Sequence, residues 1–152
     1  MTDQVVVTRE IAAPAETVWT LVSDLPRMGD WSPENRGGQW VRGATGPAPG
    51  ARFKGENRNG DKSWSTDVKV IDAVPGRRFS FLVTVGPVKI ALWEYDIEET
   101  PDGCRVTETW TDRRGWLAKK AGGRASGVSN RVEHNRDGME RTLARLDAAA
   151  TA

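Results

Sequence analysis

Residues 127–148 read GVSNRVEHNRDGMERTLARLDA, and their apolar residues recur with the period of an amphipathic helix. Val128, Val132, Met139, Leu143 and Leu146 fall at intervals of three, four and seven, which lines them along one helix face. Nearly everything from Arg36 to Asp112 consists instead of short β-type runs separated by tight turns. An amphipathic helix that follows an antiparallel sheet must bury its stripe against that sheet. What lies between helix and sheet is the functional question.

Turns set the facing of the strands. Asn59-Gly60 is a strong two-residue hairpin signal and predicts Arg52 opposite Asp67, Phe53 opposite Thr66 and Gly55 opposite Trp64. One face then carries Ala51, Phe53, Gly55, Asn57, Trp64, Thr66, Val68 and Val70, and the other carries charge. Pro75-Gly76 suits a type II turn; it sets Val70 opposite Phe81 and Val68 opposite Val83, extending the inner face through Phe79 and Val85. A turn at Thr100-Pro101-Asp102-Gly103 pairs Glu99 with Cys104, Ile97 with Val106, Tyr95 with Glu108 and Trp93 with Trp110. The last three pairs are expected to face inward.

Ahead of these strands, Gln4 to Ala12 predicts a first strand. Pro14 and Glu16 open a helix with a stripe of Val18, Leu21, Val22 and Leu25, flanked by Trp19. Asp24-Leu25-Pro26 breaks it, and Pro26 to Trp31 suits a second short helix. Gly37-Gly38 and residues 43–50 are expected as loops around a brief strand from Gln39 to Arg42. Asp112 to Ser126 shows no clear period and is expected as a long connection.

A chain of 152 residues is long enough for one domain with its own core, spanning 1–152. Net charge is +1, which points to no polyanionic partner. Charge is nonetheless uneven, with nine basic against three acidic residues between Arg113 and Arg145. Cys104 is the lone cysteine, which excludes an internal disulfide. The opening residues lack a signal-peptide pattern and no stretch reaches the length of a membrane span, so a cytoplasmic protein is expected. Seven tryptophans in a chain of this length supply either core or the walls of an apolar pocket.

The element order is strand, two short helices, six antiparallel strands and one long helix. It resembles the α+β helix-grip fold of the START-related superfamily. The stretch EIAAPAETVWTLVSDLPRMGDWSPE (residues 10–34) resembles the start of the polyketide cyclase/dehydrase and lipid-transport family, and NRDGMERTLARLDA (residues 135–148) its last helix. These motifs are architectural, and fold does not fix chemistry. The resemblance implies a curved sheet of about seven strands around the last helix, with a cavity for an apolar small molecule between them. It implies no cofactor and no metal, and by analogy it puts Trp31 near the cavity mouth.

Within such a cavity the inward carboxylate stands out. Burying Glu108 raises its pKa unless it is paired, so it either bonds Tyr95 or an arginine, or anchors a ligand as a polar or acid–base group. Glu108 and Tyr95 are the catalytic candidates. Phe53, Trp64, Phe81, Trp93, Trp110, Val132, Asn135 and Met139 are the ligand-lining candidates. His134 lies about 200° around the helix from Val132 and is expected at the surface. Cys104 has no base placed beside it and is expected to be an incidental thiol.

The basic stretch 113–124 has three readings: a solvated lid, a steering element for an anionic ligand, or a contact to an acidic membrane surface. No motif there points to nucleic acid. Three functions stay open: binding of a lipid or polyketide-like molecule, a cyclase/dehydratase-type enzyme, or an accessory interaction protein with a vestigial cavity.

Overall fold

The computed structural model describes residues 3–128 and 130–152. β-Branched residues open the chain as strand β1 (Gln4–Ile11), and Pro14 then starts helix α1 (Ala15–Val22). A short 3-10 helix, Leu25–Asp30, follows where Pro26 forbids a longer α-helix. Six strands come next: β2 (Asn35–Val41), β3 (Arg52–Asn59), β4 (Lys62–Val74), β5 (Arg78–Val85), β6 (Val88–Thr100) and β7 (Gly103–Asp112). Helices α2 (Trp116–Ser126) and α3 (Arg131–Ala150) complete the order. The sheet is seven-stranded and antiparallel, in the order β1-β7-β6-β5-β4-β3-β2. This is the helix-grip fold.

The last two strands pair as their turn predicts: Ile97 with Val106, Tyr95 with Glu108 and Trp93 with Trp110. Val70 faces Phe81 and Val68 faces Val83, also as expected. A bulge between Val70 and Asp72 then shifts the ladder so that Val74 pairs with Arg78.

The β3–β4 hairpin departs from expectation. Phe53 pairs with Val68 and Gly55 with Thr66, two residues from the predicted partners. The tight turn is Gly60-Asp61 rather than Asn59-Gly60, with Gly60 at φ +61° and Asp61 outside that region. Glycine with positive φ at the first central position is the pattern of a type II′ turn. A two-residue shift in partner leaves every side chain on its predicted face, because the strand period is two. Phe53, Thr66, Val68 and Val70 are accordingly buried.

Two further expectations fail locally. Gly37 and Gly38 belong to β2 rather than a loop, at a bulge between Asn35 and Gly38. Gly38 sits at φ +142°, and a Cβ there would lie 2.0 Å from the Lys54 carbonyl oxygen and 2.9 Å from the Phe53 ring. Residues 116–126 form a helix, not an irregular connection. Its inward residues Ala118, Ala121, Gly122 and Ala125 keep helical spacing. They are too small to produce the hydrophobic periodicity by which a helix is recognised in sequence.

The expected start of the last helix at Gly127 spans Ser129, which lies outside the described residues. Gly127 caps α2 in the left-handed conformation at φ 72°. Asn130 caps α3, its side chain accepting from the Glu133 N–H at 3.3 Å. Along α3, Asn135, Met139, Thr142, Leu143 and Leu146 are buried. Arg9 on β1 pairs with Asp147 at 2.8 Å, holding the far end of α3 to the sheet edge. No described helix is long and apolar enough to cross a membrane.

Candidate functional site

The core divides into two clusters. The larger gathers α1, the 3-10 helix, the strand centres, Leu143 and Leu146; the smaller holds Val5, Ala91, Trp110 and Met139. Residues of both clusters line one cavity of ≈ 440 Å³ between the concave sheet face and helices α2 and α3. That volume lies within the range of small-molecule sites. Phe53, Trp64, Phe81, Trp93 and Trp110 line it from the sheet, and Asn135 and Met139 from α3. Val132 does not line it; it packs against the smaller cluster. Trp31 is also displaced from its expected place at the mouth. It is 2% exposed in the larger cluster, outside the cavity lining, with the Arg27 guanidinium 5.3 Å from its ring centre.

Strand alternation places Tyr95 and Glu108 inside, as the turn register requires. The Tyr95 hydroxyl donates to Glu108 Oε2 at 2.7 Å, and both residues are buried. Glu108 Oε1 is buried without a hydrogen-bond partner among the described residues. Burial pushes the Glu108 carboxyl up to about 8, with the Tyr95 hydrogen bond pulling the other way. Burial, then the Glu108 charge, hold the Tyr95 hydroxyl well above its ordinary value. A carboxyl in this state is a neutral acid near pH 7, able to donate through one oxygen while accepting through the other.

A second polar group forms where α2 meets α3, and its centre, Glu34, was not among the residues singled out from the sequence. Glu34 accepts from Arg131 at 2.8 and 3.1 Å and lies 3.0 Å from His134 Nε2. Arg131 also donates to Asn135 Oδ1 at 3.3 Å and Ser126 Oγ at 2.8 Å. His134, expected at the surface, is only 38% exposed in its side chain and lines the cavity edge. Glu34 lies 97 residues from Arg131, and no local pattern announces such a contact.

The first turn after β7 makes a third polar group. Arg114 Nε and Nη2 each donate to Asp112 at 2.9 Å, with Asp112 1% exposed. Burial opposes ionisation of Asp112, but the Arg114 guanidinium and backbone N–H hold its carboxyl below the ordinary value. Arg114 lines the cavity beneath α2. The opposite face of α2 leaves Trp116 74% and Leu117 65% exposed.

The remaining candidates carry less. Cys104 is fully buried; burial first, then the charges of Glu10 and Asp147, push its thiol up and away from reactivity. Among the described residues, no three His, Cys, Asp or Glu side chains are grouped to hold a metal ion.

Comparison with known proteins agrees with this architecture. The family model described as polyketide cyclase/dehydrase and lipid transport matches residues 2–151. A Polyketide_cyc-like protein from Corynebacterium glutamicum, solved by NMR, is 30% identical with a TM-score of 0.63, over 98% of this chain and 91% of that one. The di-domain ARO/CYC StfQ from the steffimycin biosynthetic pathway superposes with a TM-score of 0.75 at 12% identity, over 99% of this chain and 51% of that one. The di-domain ARO/CYC BexL gives a TM-score of 0.72 at 22% identity, over 99% of this chain and 50% of that one. At those identities the two di-domain proteins speak for the fold alone. No curated protein matches the chain.

Proposed function

The chain belongs to the polyketide cyclase/dehydrase and lipid-transport family, and from that premise we propose that it binds an apolar or aromatic small molecule, a lipid or polyketide-like compound, in the cavity between sheet and α3. The observation that carries this reading is the cavity itself: ≈ 440 Å³, with Phe53, Trp64, Phe81, Trp93 and Trp110 in its walls. Apolar walls supply affinity by removing ligand surface from water, and flat rings suit flat ligands. Ligand binding to the folded state raises its stability. Thermal unfolding against a panel of lipids and aromatic polyketides is therefore the test. Stabilisation by one class supports the proposal, and no stabilisation by any member, with no co-purified molecule in native mass spectrometry, overturns it.

An enzymatic reading, a cyclase/dehydratase-type activity, is favoured by one specific observation: the Glu108–Tyr95 pair at 2.7 Å in the cavity lining, with Glu108 Oε1 buried and unpartnered among the described residues. A neutral carboxylic acid beside a bound carbonyl is a general acid, and general acid–base groups contribute roughly 10²–10⁴-fold to rate. In this reading Glu108→Gln abolishes turnover of any substrate found and leaves binding largely intact. Full activity in that variant removes Glu108 from the mechanism. The open interior gives no support to an accessory protein with a vestigial cavity, which a collapsed interior would favour.

A further inference from the structure

Six titratable side chains line the cavity: Glu34, Tyr95, Glu108, Arg114, Arg131 and His134. Four of them are bound up in ion pairs or their neighbours. Glu34 takes Arg131 and lies within hydrogen-bond distance of His134, and Arg114 is engaged through two nitrogens by Asp112. Tyr95 uses its proton on Glu108 Oε2. Among the six, Glu108 alone keeps a buried atom without a partner, Oε1, and no cation among the described residues perturbs it.

From this geometry we infer that Glu108 Oε1 is a hydrogen-bond donor that selects ligands carrying a neutral carbonyl oxygen at their buried end, such as a ketone or quinone on a fused-ring frame. The inference rests on the cavity being a ligand site. Its chemistry follows from the two carboxyl oxygens. Tyr95 donates to Oε2, so Oε2 accepts, and the proton of the neutral acid resides on Oε1. A buried donor without an acceptor carries a desolvation penalty that a ligand carbonyl relieves. A hydrocarbon of the same shape leaves the penalty in place, and sites built to hydrogen-bond discriminate strongly against analogues lacking the partner. A ligand carboxylate placed there finds no compensating cation, and with Glu108 ionised it meets a like charge. The subsite is thus specific for neutral acceptors, while Trp93 and Trp110, next along the same strands, supply flat apolar walls for the rest of the ring system.

The test uses fluorenone and fluorene, three-ring probes that differ by a carbonyl in place of a methylene. Affinities are measured by calorimetry or by tryptophan quenching at pH 6 and pH 9.5, on the wild type, Glu108→Gln and Glu108→Leu. Wild type at pH 6 is expected to prefer fluorenone roughly tenfold, the worth of one buried hydrogen bond. At pH 9.5 Glu108 has lost its proton, since its carboxyl titrates at about 8, and the preference collapses. Glu108→Gln keeps an amide donor and holds a preference at both pH values; Glu108→Leu shows none at either.

Equal affinity for the two probes in the wild type at pH 6 overturns the inference while leaving the ligand-binding reading standing. So does a preference that persists unchanged at pH 9.5. Binding of neither probe overturns the inference, and the binding reading falls with it only if the lipid and polyketide panel also fails. The wild-type pair at two pH values decides the matter even if a variant does not fold.

Discussion

Two of the polar groups in the cavity lining are opposites. Where α2 meets α3, Arg131 reaches Glu34, Asn135 and Ser126, and Glu34 also receives His134. Donors and acceptors there meet partners, and charge meets opposite charge. On the sheet, Glu108 has one side-chain bond, to Tyr95, and one oxygen with none among the described residues. A satisfied network holds elements together; a buried polar atom left over is expensive. The junction is satisfied from within the chain, and the ligand chemistry proposed above rests instead on Glu108 and Tyr95.

Changing pH strains that contrast most. Unfolding returns Glu108 from about 8 to its ordinary value of 4.5. Between those values the folded protein holds the proton and the unfolded chain does not. Stability from this group is complete below about 4.5 and is lost as pH rises through about 8. The expected slope is up to about 1.4 kcal/mol per pH unit. Urea unfolding of the wild type and Glu108→Gln across pH 5–9 reads it as a difference. Coincident pH profiles would place Glu108 in the satisfied class.

Next in size is Tyr95→Phe, which takes away the hydrogen bond to Glu108 Oε2. A loss of about 1–3 kcal/mol is expected by chemical denaturation. The Glu108 transition should also move to higher pH, because the Tyr95 bond is what lowers it. An unchanged transition would show that the 2.7 Å contact is not maintained in solution.

At the junction, Arg131→Met should cost about 1 kcal/mol. The pair is partly exposed, with side-chain accessibilities of 15% and 23%, and His134 remains beside Glu34 to soften the loss. A cost larger than that of Tyr95→Phe would invert the contrast. Smallest of all is Trp116→Ser on the outer face of α2. The side chain is 74% exposed, so stability should move by less than about 0.5 kcal/mol by the same assay.

Much of the site is legible in the chain itself. Counting outward from the Thr100–Gly103 turn brings Tyr95 beside Glu108, and the two-residue period turns both inward. In β3–β4 the same counting misses the turn by one residue and the partners by two, yet the inner face survives. Facing depends only on parity, and parity is robust to an even slip. Helix periods are less forgiving. Val132 shares the stripe of Met139 but packs against the cluster of Val5, Ala91 and Trp110 rather than lining the cavity. His134, about half a turn away, lines the cavity together with residues of α2.

Local rules of turn geometry, with periods of 2 and 3.6 residues, are enough to specify the helix-grip order, the inner face of the sheet and the inward carboxylate. They are written in neighbouring residues, so they can be read from the chain alone. Packing settles the rest: Glu108 Oε1 is left without a partner among the described residues, Glu34 meets Arg131 across 97 residues, and the basic stretch becomes a helix roofing the cavity. Those facts depend on how the sheet wraps and how closely α2 and α3 approach it. Distances between residues far apart in the chain are set by close packing of whole elements, which no local period encodes.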